Sequence, residues 1–133
     1  MNFGMSKVRM TLALVITVAC SSSPDLTSPV GIEAELPGTW AQSFSVPGAS
    51  TVLHLVVNRT EVTGDGTWAM EAGPSGTLTV AGLIAAPDVM ITFTRSDGLV
   101  GHFNARLESA DVLKGSLWFS SDPVVAEFRR TSR

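Results

Sequence analysis

The sequence predicts an all-β fold, in which eight antiparallel strands form an up-and-down meander that closes into a small barrel. From Trp40 onward, apolar residues recur at every second position, which is the period of a strand with one buried face. Groups of Gly, Pro, Asp and Ser interrupt this pattern often enough to separate short strands. Closure removes the exposed edges that such a sheet would otherwise have. A two-layer β-sandwich is the alternative.

A recurring glycine pattern supports the barrel. Glycine weakens the interior of a strand and often marks a bend or a close approach of two backbones, so its repetition favours a sheet that curls. The pattern places an aliphatic residue two positions before a glycine, in Val62-Thr63-Gly64, Val80-Ala81-Gly82, Leu99-Val100-Gly101 and Leu113-Lys114-Gly115.

The first four predicted strands each end at a cluster of turn residues. In chain order, they are Gly38 to Val46, Ser50 to Thr63, a strand with Trp68 and Met70, and a strand with Leu78 and Val80. The clusters that end them are Pro47-Gly48, Gly64-Asp65-Gly66, Gly73-Pro74-Ser75-Gly76 and Pro87-Asp88.

The last four predicted strands alternate most regularly between apolar and polar positions, so each has one dry and one wet face. Their dry faces carry Val89, Ile91 and Phe93, then Phe103, Ala105 and Leu107, then Leu113, Gly115, Leu117 and Phe119, and finally Val124, Ala126 and Phe128. The predicted interior of the first four strands consists of Trp40, Phe44, Leu53, Leu55, Trp68, Met70, Leu78 and Val80. The basic residues Arg129, Arg130 and Arg133 are predicted to form a solvated strand end.

The first residues resemble a bacterial lipoprotein signal peptide. Lys7 and Arg9 precede an apolar run over 12–18, and Cys20 follows it. The run is too short to span a membrane, which takes roughly 20 apolar residues. The resemblance implies that residues 1–19 are removed, that Cys20 becomes the lipid-modified first residue, and that the protein is exported and anchored to the cell membrane or outer membrane. Ordinary signal cleavage, which leaves Cys20 a free thiol, is the alternative.

Residues 20–37 are predicted to be the lipidated cysteine and a flexible tether, because they are polar and contain Pro24, Pro29 and Pro37. Residues 38–133 are then one barrel domain. Without Lys7 and Arg9, seven basic residues remain against twelve acidic ones, a net charge of −5, so nucleic acid is not an expected partner. Cys20 is the only cysteine, which excludes an intrachain disulfide.

The segment Pro37-Gly38-Thr39-Trp40, in which Gly-x-Trp opens the first strand, is similar to the calycin group of small barrels, the lipocalins and avidins. This resemblance implies a small up-and-down barrel from Gly38 to Phe128. It implies no particular ligand contacts.

Two interpretations of the barrel interior remain open. In one, a cavity at a barrel mouth binds a small apolar molecule, with Trp40 and Trp68 as large walls, Gln42 as a polar contact, and Phe44 and Met70 beside them. In the other, side chains fill the interior, and the protein is a structural or protein-interaction module of the cell envelope. Met90 and Trp118, which are predicted to point outward, would then contact the partner protein.

The sequence predicts no enzyme, no metal site and no cofactor. Asp65, Asp97, Asp111 and Asp122 are predicted to be turn formers, since each adjoins Gly, Ala, Ser or Pro. His54 and His102 lack partners at metal-ligand spacing. A hydrolase is the third interpretation, but Gly73-Pro74-Ser75-Gly76 lacks the second spacer of a Gly-x-Ser-x-Gly elbow, and no predicted helix follows it.

Overall fold

The computed structural model describes residues 25–44, 49–120 and 122–133, with the backbone alone at 43 and 44. In this part of the chain, eight strands form a closed barrel in which each strand pairs with its neighbours in chain order and the last pairs antiparallel with the first. The barrel and the meander are thus confirmed, and the sandwich is excluded. The strands are β1 (Gly38–Phe44), β2 (Ala49–Asn58), β3 (Glu61–Met70), β4 (Ser75–Ala85), β5 (Asp88–Arg95), β6 (Val100–Ser109), β7 (Val112–Trp118) and β8 (Val124–Ser132).

The predicted turn at Gly64-Asp65-Gly66 is wrong, because these residues lie in the middle of β3. The chain reverses instead at Arg59 and Thr60, where Arg59 has a φ of 61°, in the left-handed region. Gly66 belongs to a strand because it pairs with Leu53 across the ladder, and a Cβ there would lie 2.0 Å from the carbonyl oxygen of Val52. The absence of a side chain allows two strands to approach closely.

The four glycines of the recurring pattern all lie within strands, in close contact with another part of the barrel. A Cβ at Gly115 would lie 1.9 Å from the carbonyl oxygen of Asn104, and one at Gly101 would lie 2.4 Å from the ring of Phe119. Both distances are shorter than any normal contact. The predicted close approach at these glycines is therefore confirmed.

A helix, α1 (Pro29–Glu35), precedes the barrel, so the predicted flexible tether does not extend to residue 37. The Ser28 side chain caps the helix by accepting a hydrogen bond of 3.1 Å from the backbone N–H of Gly31, and Pro29 occupies a first-turn position, where its missing N–H costs nothing. Ile32 and Leu36 lie four residues apart, on one helix face, and both are fully buried against the barrel. Burial of this short apolar stripe is what orders the segment.

The two ends of the barrel differ. We call the end that carries α1 and the hairpins at 58–61, 85–88 and 109–112 the closed end, and the opposite end, with the hairpins at 70–75 and 95–100, the open end. Leu26 also packs against the core, so this residue and α1 both belong to the folded domain. No helix in the described ranges is long and apolar enough to cross a membrane.

The predicted interior is confirmed for most of its members. Met70 and Val124 are exceptions, with 41% and 39% of their surfaces exposed near the open end, and Phe119 is partly buried. The side chain of Phe44 lies outside the described residues, as does all of Val46. The predicted members that are buried are Trp40, Leu53, Leu55, Trp68, Leu78, Val80, Val89, Ile91, Phe93, Phe103, Ala105, Leu107, Leu113, Leu117, Ala126 and Phe128.

Candidate functional site

A cavity of about 210 Å³ lies at the open end of the barrel. Inward-facing residues of six strands meet there because the closed sheet brings their side chains to one mouth. The lining consists of the aromatic residues Trp68, Phe93 and Phe119, the aliphatic residues Leu78, Leu117, Ala49, Ala69 and Met70, and the polar residues Gln42, Ser50, Thr51 and Arg95.

Aromatic and aliphatic side chains form most of the wall. Trp68 is held in place because its indole N–H donates a hydrogen bond of 3.1 Å to the carbonyl oxygen of Thr77. Phe93 is only 2% exposed and stacks against Phe103 in the core, with ring centroids 6.2 Å apart. The wall is therefore continuous with the packed interior and is rigid on its inner side.

Gln42 contributes an unusual polar group to this wall. Its side-chain oxygen Oε1 is buried and has no hydrogen-bond partner among the residues that the structure describes. A buried carbonyl oxygen without a donor costs roughly 1 to 3 kcal/mol, and native proteins rarely contain one. The wall of the cavity therefore holds, beneath its surface, one acceptor without a hydrogen-bond partner among the described residues.

Arg95 lies at the rim of the cavity. Its guanidinium carbon is 3.7 Å from the centroid of the Trp68 ring, and its side chain is 16% exposed. Two N–H groups of Arg95 donate to the Asp97 carboxylate, at 3.2 Å and 2.6 Å. Such cation–π contacts stabilise by roughly 0.5 to 2 kcal/mol, and the ion pair holds the guanidinium over the ring.

The hydrogen bonds from Arg95 lower the pKa of Asp97 below its ordinary value of 3.8, and the backbone N–H of Leu99 also contributes. Since the folded-state pKa is depressed, the stabilisation from this carboxylate is present above pH 3.8 and is lost as the pH falls through the lower folded-state value. An NMR titration of the Asp97 carboxyl carbon should give a midpoint below 3.8, and Arg95→Gln should move it upward. An equal midpoint in the two proteins would contradict this assignment.

An arginine and a tryptophan also meet at the closed end, where Arg130 lies over Trp40 at 4.4 Å. The indole N–H of Trp40 donates to the carbonyl oxygen of Leu36 at 2.9 Å, just beyond α1. The prediction that Trp40 is a wall of the cavity is therefore wrong, because α1 covers the end of the barrel at which Trp40 lies.

The prediction that Arg130 is solvated is also wrong, since its side chain is 5% exposed. Its guanidinium donates to the carbonyl oxygens of Glu35, Pro37 and Ala110, and to the Asp111 carboxylate at 3.1 Å. Burial, followed by the charge of Arg133, lowers the pKa of Arg130. Arg130 thus ties α1 and its exit to the β6–β7 hairpin and the last strand.

Of the predicted ligand-binding residues, the structure brings Gln42, Trp68 and Met70 to the cavity and places Trp40 elsewhere. Sequence reasoning missed Arg95. The alternation that predicts the inward residues of β5 reaches this position two residues after Phe93, so the signal was present, although a charged residue is not expected on a dry face.

The outward direction predicted for Met90 is confirmed, and Trp118 lies on the same outer surface. Met90 is 48% exposed and pairs with Leu83, which is 51% exposed. Trp118 is half-buried, and its ring centroid is 5.4 Å from that of His102. The two predicted contact residues are separated by β6, so the structure does not join them in one patch.

The other predicted chemical groups have local roles. His54 Nδ1 and Thr39 Oγ1 are 2.9 Å apart, within hydrogen-bond distance. Asp65 is not a turn former, since it lies in β3 opposite His54. The segment that suggested a hydrolase belongs to the β3–β4 hairpin, in which the N–H of Met70 donates to Pro74 at 3.0 Å. Within the described ranges, no three His, Cys, Asp or Glu side chains are grouped to hold a metal ion. Cys20 lies outside these ranges.

Comparison with known proteins supports the fold. No family model and no curated protein matches the chain. Among solved structures, the chain is similar to a protein described as a de novo designed fluorescence-activating beta barrel, with a TM-score of 0.63 and 19% sequence identity. The match covers 75% of this chain and 97% of the designed one. At this identity, the likeness shows a shared small-barrel fold.

Proposed function

We propose that this protein is a noncatalytic binding protein that holds a small, largely apolar molecule in the open-end cavity. The observation that carries the proposal is the cavity of about 210 Å³ at the open end of the barrel. An apolar cavity of about 150 Å³ is large enough for benzene, whereas pockets for drug-sized ligands begin at roughly 300 Å³. The ligand is therefore the size of one or two rings. The fold of the designed fluorescence-activating barrel is compatible with such a role.

Filling the cavity tests this function. Thr51 lines the cavity and pairs with Trp68, so Thr51→Phe places a ring in the space that the ligand would occupy. We expect it to weaken the binding of toluene or indole, measured by calorimetry, by at least about tenfold, which corresponds to about 1.4 kcal/mol. The matched control is Thr79→Phe, on the exposed face of β4, which should leave the affinity unchanged. Equal affinities in the two variants would argue against the cavity as the binding site.

We also propose that lipid attached to Cys20 anchors the exported domain to a membrane, with its closed end toward the lipid. Leu26 packs against the core, and only residues 21–25 separate it from Cys20. The six Cα-to-Cα steps from Cys20 to Leu26 span at most about 20 Å when the chain is extended, so the anchor lies near α1. The cavity opens at the other end of the barrel, away from the membrane surface.

Substitution of the cysteine tests the anchor. Cys20→Ser removes the thiol that the lipid would modify, so we expect the protein to move from the membrane fraction to the soluble fraction of the expressing cells. The melting temperature of the domain should not change, because the described contacts with the barrel are made by Leu26 and α1 rather than by Cys20. Persistent membrane association of the serine variant would show that Cys20 is not the anchor.

A second candidate function, contact with another protein of the cell envelope, is favoured by Met90 and Leu83. This cross-strand pair exposes apolar surface on the outer face of the barrel, and apolar surface of this kind marks interaction sites when it is contiguous. Trp118, on the far side of β6, would be a separate point of contact. This role is compatible with ligand binding, since it uses the outside of the barrel.

A further inference from the structure

We infer that the ligand is a neutral aromatic molecule with one N–H or O–H group, which donates a hydrogen bond to Gln42 Oε1. The inference rests on the proposed function and adds the chemical class of the ligand. Three observations carry it: the unpartnered acceptor of Gln42, the aromatic lining of the cavity, and the charge balance at the rim.

The acceptor defines the polar part of the ligand. Gln42 Oε1 is buried in the wall of the cavity, where no described donor reaches it. Buried polar atoms in folded proteins nearly always have a partner, and a ligand donor would supply one here once the Gln42 side chain turns Oε1 toward the cavity. A purely apolar ligand would leave the oxygen unpaired and seal it further from water.

The lining defines the rest of the ligand. Trp68, Phe93 and Phe119 surround the space, and aromatic rings contact one another favourably in edge-to-face and offset arrangements. The cation at the rim, Arg95, is already paired with Asp97 at 2.6 Å. The two charges balance each other, so the rim favours a neutral ligand over a carboxylate, which would compete with Asp97 for the guanidinium.

The experiment compares phenol, toluene and anisole, which share a ring and differ in their polar groups. Calorimetric titration of the wild-type protein should show phenol binding more tightly than toluene, although toluene is the more hydrophobic of the two. Anisole, which has an oxygen acceptor but no donor, should bind no better than toluene. In Gln42→Leu, the ratio of toluene to phenol dissociation constants should fall at least tenfold.

A matched variant separates Gln42 from the other polar group nearby. Thr51→Val removes a hydroxyl from the cavity lining at nearly constant shape and should leave the ratio unchanged. The melting temperature of Gln42→Leu should equal or exceed that of the wild type, since the substitution removes a buried unpaired oxygen.

The outcomes distinguish this inference from the proposed function. If toluene binds as tightly as phenol in the wild type, or if the ratio is the same in Gln42→Leu, the donor requirement is overturned and the binding function stands. If anisole matches phenol, the amide acts as a donor and the inference is overturned. If none of the three probes binds, the proposed function fails together with the inference.

Discussion

Arg130→Ala is expected to lower the free energy of unfolding by about 3 kcal/mol or more. The guanidinium is 5% exposed and donates to carbonyl oxygens at the end of α1, at Pro37 and in the β6–β7 hairpin. Alanine leaves these part-buried acceptors without the guanidinium donor and removes the packing over Trp40. For a domain of about 100 residues, the loss corresponds to a fall in melting temperature on the order of 10 to 20 °C, which differential scanning calorimetry would measure.

The neighbouring residue provides a matched control. Arg129 is 60% exposed and pairs with Glu127 at the surface, so Arg129→Ala should change the unfolding free energy by about 0.5 kcal/mol or less. Arg130→Lys should recover only part of the stability, because a single ammonium group cannot reach all of the acceptors of the guanidinium. Equal melting temperatures for Arg129→Ala and Arg130→Ala would show that the closed end does not depend on Arg130.

Gly115→Ala is expected to destabilise the barrel by about 3 kcal/mol or more, at or above the usual range for overpacking. A Cβ at this position would lie 1.9 Å from the carbonyl oxygen of Asn104 and 2.6 Å from the Cα of Ala105. Both atoms belong to the backbone of β6, so no side chain can move to relieve the overlap. β6 and β7 would have to separate at the pair that joins Ala105 to Gly115. Urea unfolding followed by circular dichroism would measure the loss.

Gly73 is the control for this substitution. It lies in the β3–β4 hairpin, and a Cβ there would meet Met70 Cβ at an ordinary distance of 3.4 Å. Gly73→Ala should therefore change stability by about 0.5 kcal/mol or less. If Gly115→Ala unfolds at the same urea concentration as Gly73→Ala, the strands are not as close as the structure places them.

The same contact of an arginine with a tryptophan occurs at both ends of the barrel, but the other partners of the arginine differ. At each end, an arginine on the inner face lies over a tryptophan: Arg130 over Trp40 at the closed end, and Arg95 over Trp68 at the open end. At the closed end, the carbonyl oxygens of α1 and its exit occupy the guanidinium, so the arrangement is structural. At the open end, the partner is Asp97, and the cavity lies beside the pair. The open end is therefore where the proposed ligand would enter.

The alternation of apolar and polar residues predicts the barrel and most of its interior because the direction of a side chain in a strand depends only on its position along that strand. The same regularity places Gln42 and Trp68 inside, where both line the cavity. It does not distinguish one end of the barrel from the other. For this reason it assigns Trp40 to the cavity together with Trp68, although Trp40 lies beneath α1.

The errors at Gly64-Asp65-Gly66 and in the tether have a common origin. A Gly-Asp-Gly sequence is a good local turn signal, but the approach of β2 to β3 requires glycine inside a strand at Gly66. The helix α1 has only seven residues, which is too short for a helix to be stable in isolation. Each segment takes its structure from contacts with a distant part of the chain, which local propensity does not include.

The residue pattern predicts the order of the strands, most of their dry faces and the eight-stranded meander, because pleating and short turns are local properties of the chain. The covered end, the burial of Arg130 and the position of the cavity depended on the folded barrel, because they arise where remote residues meet. Glu35 and Arg130 are 95 positions apart, and closure of the barrel by β1 and β8 is what brings them together.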